Sequence, residues 1–143
     1  MRHTAIAALI ALSIAAAGQA QTSHDTTSPT LTAFAAAPQS LACSTAACGT
    51  QVTWSATDDM SGVAAIDITA TSQYSTQSKT AHCDVSPPTV TVTAATCTVK
   101  LPQYAAAGAW QLQAMLTDAA GNAIVYTSTQ LGTLGFSHNF TVQ

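Results

Sequence analysis

The sequence predicts an all-β fold, two packed antiparallel sheets of about seven strands, on three observations. Short runs with apolar residues at every second position recur along the chain, as in QVTWSAT at 51–57 and AWQLQAML at 109–116. Clusters of turn-forming residues, DDMSG at 58–62 and DAAGN at 118–122, separate them. No segment has room for a helix of useful length: the Ala-rich run from Tyr104 to Ala107 is confined between Pro102 and Gly108.

The first residues stand apart from this pattern. Arg2 and His3 precede an apolar run from Ala5 to Ala17, and Gly18-Gln19-Ala20 supplies small residues at the −3 and −1 positions of a cleavage site. Residues 1–20 are therefore expected to be a signal peptide, with Gln21 as the mature start. The apolar run is shorter than the ~20 residues of a membrane helix, and no Cys follows the site to carry a lipid. Export to the periplasm or the medium is the expected destination.

Residues 21–28 are polar and expected to be flexible, and 29–143 to form the sandwich. Pro29 to Pro38 is a first strand in which Leu31, Ala33 and Ala35 alternate with their neighbours. A loop over 39–49 carries two cysteines. In the next strand Val52, Trp54 and Ala56 share one face. After the 58–62 turn, Val63 to Thr71 places Ala64, Ile66, Ile68 and Ala70 inward and Asp67 outward. Lys79 to Val85 is a short edge strand expected to stop at Pro87-Pro88. From Thr89 to Leu101 the apolar parity changes, from Val90 and Val92 to Cys97, Val99 and Leu101, which requires a bulge or turn near residues 94–96. Trp110, Leu112, Ala114 and Leu116 mark a further one-sided strand. A returning strand at 123–127, a helical turn at 128–135 and a final strand at 136–142 complete the chain.

Beyond the leader only Lys79 and Lys100 are strong cations, against six Asp and no Glu. Such a surface cannot gather phosphates, which excludes nucleic acid and anionic lipid as partners. Cys43, Cys48, Cys83 and Cys97 form an even set in an exported chain and imply disulfides. Of three pairings, Cys43–Cys48 with Cys83–Cys97 is favoured. The alternative is a metal site joining cysteines to His24, His82 or His138, without metal-type spacing to support it.

Several stretches together resemble a bacterial immunoglobulin-like module. They are DTTSP at 25–29, DDMSGV at 58–63, LPQYA at 101–105, GAW at 108–110, LTDAAGN at 116–122, LGF at 134–136 and FTV at 140–142. The likeness spans nearly all of the chain after the leader. It implies an immunoglobulin-like antiparallel β-sandwich used for adhesion, spacing or display in secreted and cell-surface proteins, without catalysis. The lone module and the four cysteines depart from that pattern.

In a sandwich of this kind the start of the first strand and two loop connections share one pole. That arrangement would gather Asp25, Asp58, Asp59, Asp118 and Asn122, an oxygen-rich set suited to a calcium ion. The competing explanation is that Asp and Asn serve as ordinary turn residues. No cofactor motif is present, and calcium is the one ion favoured. His24, His82 and His138 are expected to be plain surface; a transition-metal role for His82 and His138 with Met60 or Met115 is the rival. No nucleophile-elbow pattern occurs, so the chain is read as non-enzymatic. Trp54 and Trp110 are expected in the core. Tyr74 and Tyr126 are expected to be free to bind sugars or protein, and Tyr104 to hydrogen-bond the backbone as a corner tyrosine. The expected partner is a protein or glycan at the bacterial envelope.

Overall fold

The computed structural model describes residues 24–143. The expected leader and its cleavage site lie outside the described residues. Nine strands and one short helix follow in order: β1 (Thr30–Ala37), β2 (Ser40–Leu41), β3 (Cys48–Thr57), β4 (Val63–Ser72), β5 (Ser78–Thr89), β6 (Thr91–Leu101), β7 (Gly108–Asp118), β8 (Ala123–Tyr126), α1 (Ser128–Thr133) and β9 (Asn139–Val142). They form two sheets in a sandwich-like arrangement. One sheet has the order β1-β3-β6. The other has the order β2-β9-β7-β4-β5, with β8 also paired to β7.

The strand count exceeds the expected seven because short pieces pair that carry no periodicity of their own. Ser40 and Leu41, read from the sequence as loop, run parallel to Thr141 and Val142. Among the strand pairs described this is the parallel one; the rest are antiparallel.

The core follows the alternation that defined the strands. Val52, Trp54 and Ala56 of β3 face Leu112, Ala114 and Leu116 of β7 across the sandwich, all essentially inaccessible to water. Trp110 stacks near-parallel on Phe140, with centroids 6.1 Å apart, and its indole N–H donates to Ala106 O at 2.8 Å. Both tryptophans are thus core residues, as expected, since each buries a large apolar area.

Bulges correct the expected faces in two strands. In β1 the register shifts between Leu31 and Ala33, so Phe34 and Ala36 are buried in place of Ala33 and Ala35. In β4 it shifts between Val63 and Ala65, which buries Val63 and Ala65 and leaves Ala64 half-buried. An extra residue reverses side-chain parity. The parity change expected in β6 is present: Ala94 has φ +49°, and the β3 pairing shifts opposite it.

Strand β5 does not stop before Pro87-Pro88. It bulges between the pairings Ala65↔Asp84 and Val63↔Thr89 and continues to Thr89. As an edge strand it has no outer neighbour that would require the missing proline N–H.

Both favoured disulfides are formed. Cys43–Cys48 closes the loop between β2 and β3, and Cys83–Cys97 joins β5 to β6, so it ties one sheet to the other. No described cysteine is free. The expected alternative, cysteine metal ligation, is thereby excluded for all four. Disulfides of this kind fit an oxidising, extracytoplasmic environment. Among the described residues no helix is long and apolar enough to cross a membrane.

Candidate cation site at the acidic pole

Three loops meet at one pole. The segment before β1 brings Asp25, the β3–β4 turn brings Asp58, and the end of β7 brings Asp118. Each offers a carboxylate oxygen within 4.8 Å of the others. Asp25 and Asp118 are buried, at 6% and 2% exposure, and Asp58 is half-buried. Carboxylates are rarely buried to this degree without compensation.

Most of the compensation is hydrogen bonding from the turns that present them. Asp25 accepts from Thr27 N at 3.0 Å and from Ser61 N at 2.9 Å, which ties the N-terminal segment to the β3–β4 turn. Asp58 Oδ2 accepts from Met60 N at 3.2 Å and Gly62 N at 2.7 Å. That turn depends on Gly62, whose φ of +88° and whose close approach to Thr89 N leave no room for a Cβ. Asp118 accepts from Asn122 N and from Asn122 Nδ2, both at 2.7 Å. The Asn122 amide also donates to Asp25 O at 3.2 Å, linking the third loop to the first.

The remaining polar atoms are less well served. Asp58 Oδ1 is buried with no hydrogen-bond partner among the described residues. The buried Ser61 hydroxyl completes no hydrogen bond of good geometry, yet lies close enough to Asp25 to matter. It is the largest influence holding that carboxyl below its ordinary pKa, followed by the Thr27 N–H; burial opposes them. The two lysines stand elsewhere. Lys79 is opposite Ala70 and Lys100 opposite Gly49, both toward the other pole.

Of the five residues expected at this pole, three converge. Asp59 is exposed and does not join them: adjacent residues in a tight turn point in different directions. Asn122 is present as a donor, to the Asp118 carboxylate and to the Asp25 backbone carbonyl. The cluster combines preoriented carboxylate oxygens with a buried, unbonded lone-pair site, the chemistry of a hard divalent cation.

The expected transition-metal set is not assembled. His138 lies just before β9 and His82 on β5, with β7 and β4 between their strands, and Met60 sits in the β3–β4 turn. His82 is also not plain surface. Its Nδ1 meets Asp67 Oδ1 at 2.8 Å across the β4–β5 ladder, and its Nε2 meets Asp84 Oδ1 at 2.9 Å. The hydrogen bond with Asp67, then that with Asp84, raises the imidazole pKa. Both ring nitrogens are thus turned to carboxylates rather than left open to a metal ion. The Asp84 contact follows from a same-face spacing of two, whereas the Asp67 contact needs the strand register.

A shallow hollow of about 470 Å³ lies beside α1 and is lined in part by Ser128 and His138. Ser128 Oγ donates to the His138 backbone carbonyl at 3.0 Å, not to its ring, so the two do not form a nucleophile–base pair. The tyrosines exchange their expected roles. Tyr126 accepts a hydrogen bond at its hydroxyl from Leu31 N and fixes the start of β1, while Tyr104 is 73% exposed.

Comparison with known protein families, with curated proteins and with solved structures yields no match.

Proposed function

We propose that the chain is an exported immunoglobulin-like module, a non-enzymatic unit for binding or display at the bacterial envelope. The observation that carries this reading is the distribution of strands. Strands β1, β3 and β6 on one side, with β4, β5, β7 and β9 on the other, follow the A-B-E and C′-C-F-G division of such sandwiches. The first strand is split between the sheets as β1 and β2. Trp54 of β3 and Trp110 near the start of β7 are core residues, and the disulfide between sheets joins β5 to β6. Expression of the full chain in a bacterial host, followed by fractionation and N-terminal sequencing, is expected to give a periplasmic or secreted product starting at Gln21. The labelled mature protein is then expected to bind isolated envelopes saturably. An uncleaved cytoplasmic product, or no saturable binding, rejects the reading.

A second reading is favoured by the convergence of Asp25, Asp58 and Asp118, together with the buried, unbonded Asp58 Oδ1. Calcium at this pole clamps the N-terminal segment to the β3–β4 and β7–β8 turns. A ligand present at a hundred times its Kd stabilises a fold by about 2.7 kcal/mol, several degrees in Tm for a domain of this size. Millimolar calcium is therefore expected to raise Tm in the native protein and not in Asp58→Asn. An unchanged Tm in the native protein refutes the site.

A further inference from the structure

The pole opposite the carboxylates is built differently. Three loops form it: 42–47 between β2 and β3, 73–77 between β4 and β5, and 102–107 between β6 and β7. Hydrogen bonds join them into one surface. Gln73 N donates to Ala109 O at 3.0 Å, Ala106 N to Gln77 Oε1 at 2.8 Å, and Tyr104 N to Cys43 O at 2.8 Å. Gln103 Nε2 donates to Thr45 O at 3.0 Å. The Cys43–Cys48 disulfide braces the first loop.

On this fixed base stand two tyrosines with little core to cover. Tyr74 is 76% exposed, and its ring lies against the backbone of Gly108: a Cβ there would sit 2.7 Å from Tyr74 Cδ2. One side of the ring is supported by main chain and the other faces solvent. Tyr104 is 73% exposed and held at φ +61°, a conformation unfavourable to any residue with a Cβ. Glycine or asparagine would fill that turn with less strain, and neither would project an aromatic ring. Strain retained at an exposed side chain is a mark of use rather than of packing. Nearby, a groove of about 300 Å³ is lined by residues of mixed character, Thr76, Gln77, Ser78 and Lys79 with Pro102 and Trp110. The loops of this pole contain no carboxylate.

We propose that this pole binds a glycan chain, with Tyr74 and Tyr104 stacking on the apolar faces of pyranose rings and the groove accepting their hydroxyls. Rigid aromatic rings give contact area at low entropic cost, and side-chain amides and hydroxyls suit the donors and acceptors of sugars. Two isolated rings in a polar field do not make the continuous apolar core of a protein interface. Lys79 beside the groove serves a sugar hydroxyl or a uronate carboxylate. The inference rests on the binding-module reading and names its partner class.

The mature protein, with all four cysteines oxidised, is tested by calorimetry against cello-, chito-, manno- and oligogalacturonate hexasaccharides. At least one is expected to bind, about tenfold more weakly to Tyr74→Ala and to Tyr104→Ala, with Leu134→Ala, an exposed residue outside this pole, unchanged. Binding confined to the uronate and lost in Lys79→Gln identifies an acidic glycan; binding insensitive to Lys79 identifies a neutral one. Either outcome supports the proposal once circular dichroism shows the variants folded. Affinity that survives both tyrosine substitutions rejects this pole. No sugar binding, with envelope binding intact and protease-sensitive, rejects the glycan but leaves the module reading standing. Absence of both removes both.

Discussion

Asp118 shows how much a single buried carboxylate contributes to this fold. Both its oxygens are taken by Asn122, which in turn holds Asp25. Replacement by alanine leaves Asn122 with only its bond to Asp25 O and strips the half-buried backbone N–H and one amide hydrogen of their acceptor, a loss of about 2 kcal/mol. Urea denaturation is expected to show that loss with an unchanged m-value. His82 makes a different kind of contribution, one that depends on pH. Its pKa is raised in the folded state by Asp67 and Asp84. The stabilisation is complete below the ordinary imidazole value of 6.5, where folded and unfolded forms are both protonated. It declines above that value, as only the unfolded form loses its proton, and is gone once pH passes the folded value. The native protein is therefore expected to exceed His82→Gln in stability below the ordinary imidazole value of 6.5, with the gap closing as pH rises through the raised folded value. High salt is expected to shrink the gap, because the triad is exposed. A gap that widens toward alkaline pH contradicts this account. At this scale the acids at the pole were legible because turn residues advertise themselves. The direction of Asp59, and the meeting of His82 with Asp67, required coordinates: one depends on a local turn angle and the other on a register that period-two alternation leaves open.

Among the elements, β3 and β7 were legible because each buries an unbroken apolar run on one face, Val52, Trp54 and Ala56 in the first and Trp110, Leu112, Ala114 and Leu116 in the second. Strand β2 was not, since two residues carry no period; its existence depends on β9 supplying the partner. The expected end of β5 at Pro87 treated proline as a terminator, whereas an edge strand accommodates it through a bulge. Edge placement also explains the value of Cys83–Cys97. Strands β5 and β6 lie in different sheets and share no ladder, so the disulfide takes the place of backbone pairing at that side of the sandwich. With a sequence separation of 14, its removal by paired Cys→Ala substitution is expected to cost about 3 kcal/mol. Thermal melting of Cys83→Ala/Cys97→Ala against the native protein measures it, and a loss well under 1 kcal/mol contradicts the closure argument.

For the whole molecule, composition and spacing were enough to give the all-β class, and a two-sheet topology was enough to suggest which loops share a pole. Asp25, Asp58 and Asp118 gather at one end, while the lysines stand toward the other. That separation has no local signature, because it arises only when non-adjacent strands are laid side by side. The pairing of β2 with β9 has a consequence for the chain under load. The path into β1 enters at the acidic pole, and Val142 lies opposite Gly108 at the other. Strands β2 and β9 run the same way, with Thr141 N donating to Gln39 O and Gln143 N to Leu41 O, both at 2.8 Å. Tension applied between residues 24 and 143 pulls these two strands past each other lengthwise. Their hydrogen bonds then share the load and fail together, whereas a peeling geometry breaks them singly. The Cys43–Cys48 bridge passes the tension from the end of β2 into β3, in the other sheet. In single-molecule extension the oxidised domain is expected to rupture at a higher force when held at residues 24 and 143 than when pulled across the open end of the β7–β8 hairpin, at Ala114 and Tyr126, where the ladder opens one bond at a time. A tether of two residues would thus set the mechanical strength of the sandwich, giving a short strand a role out of proportion to its length.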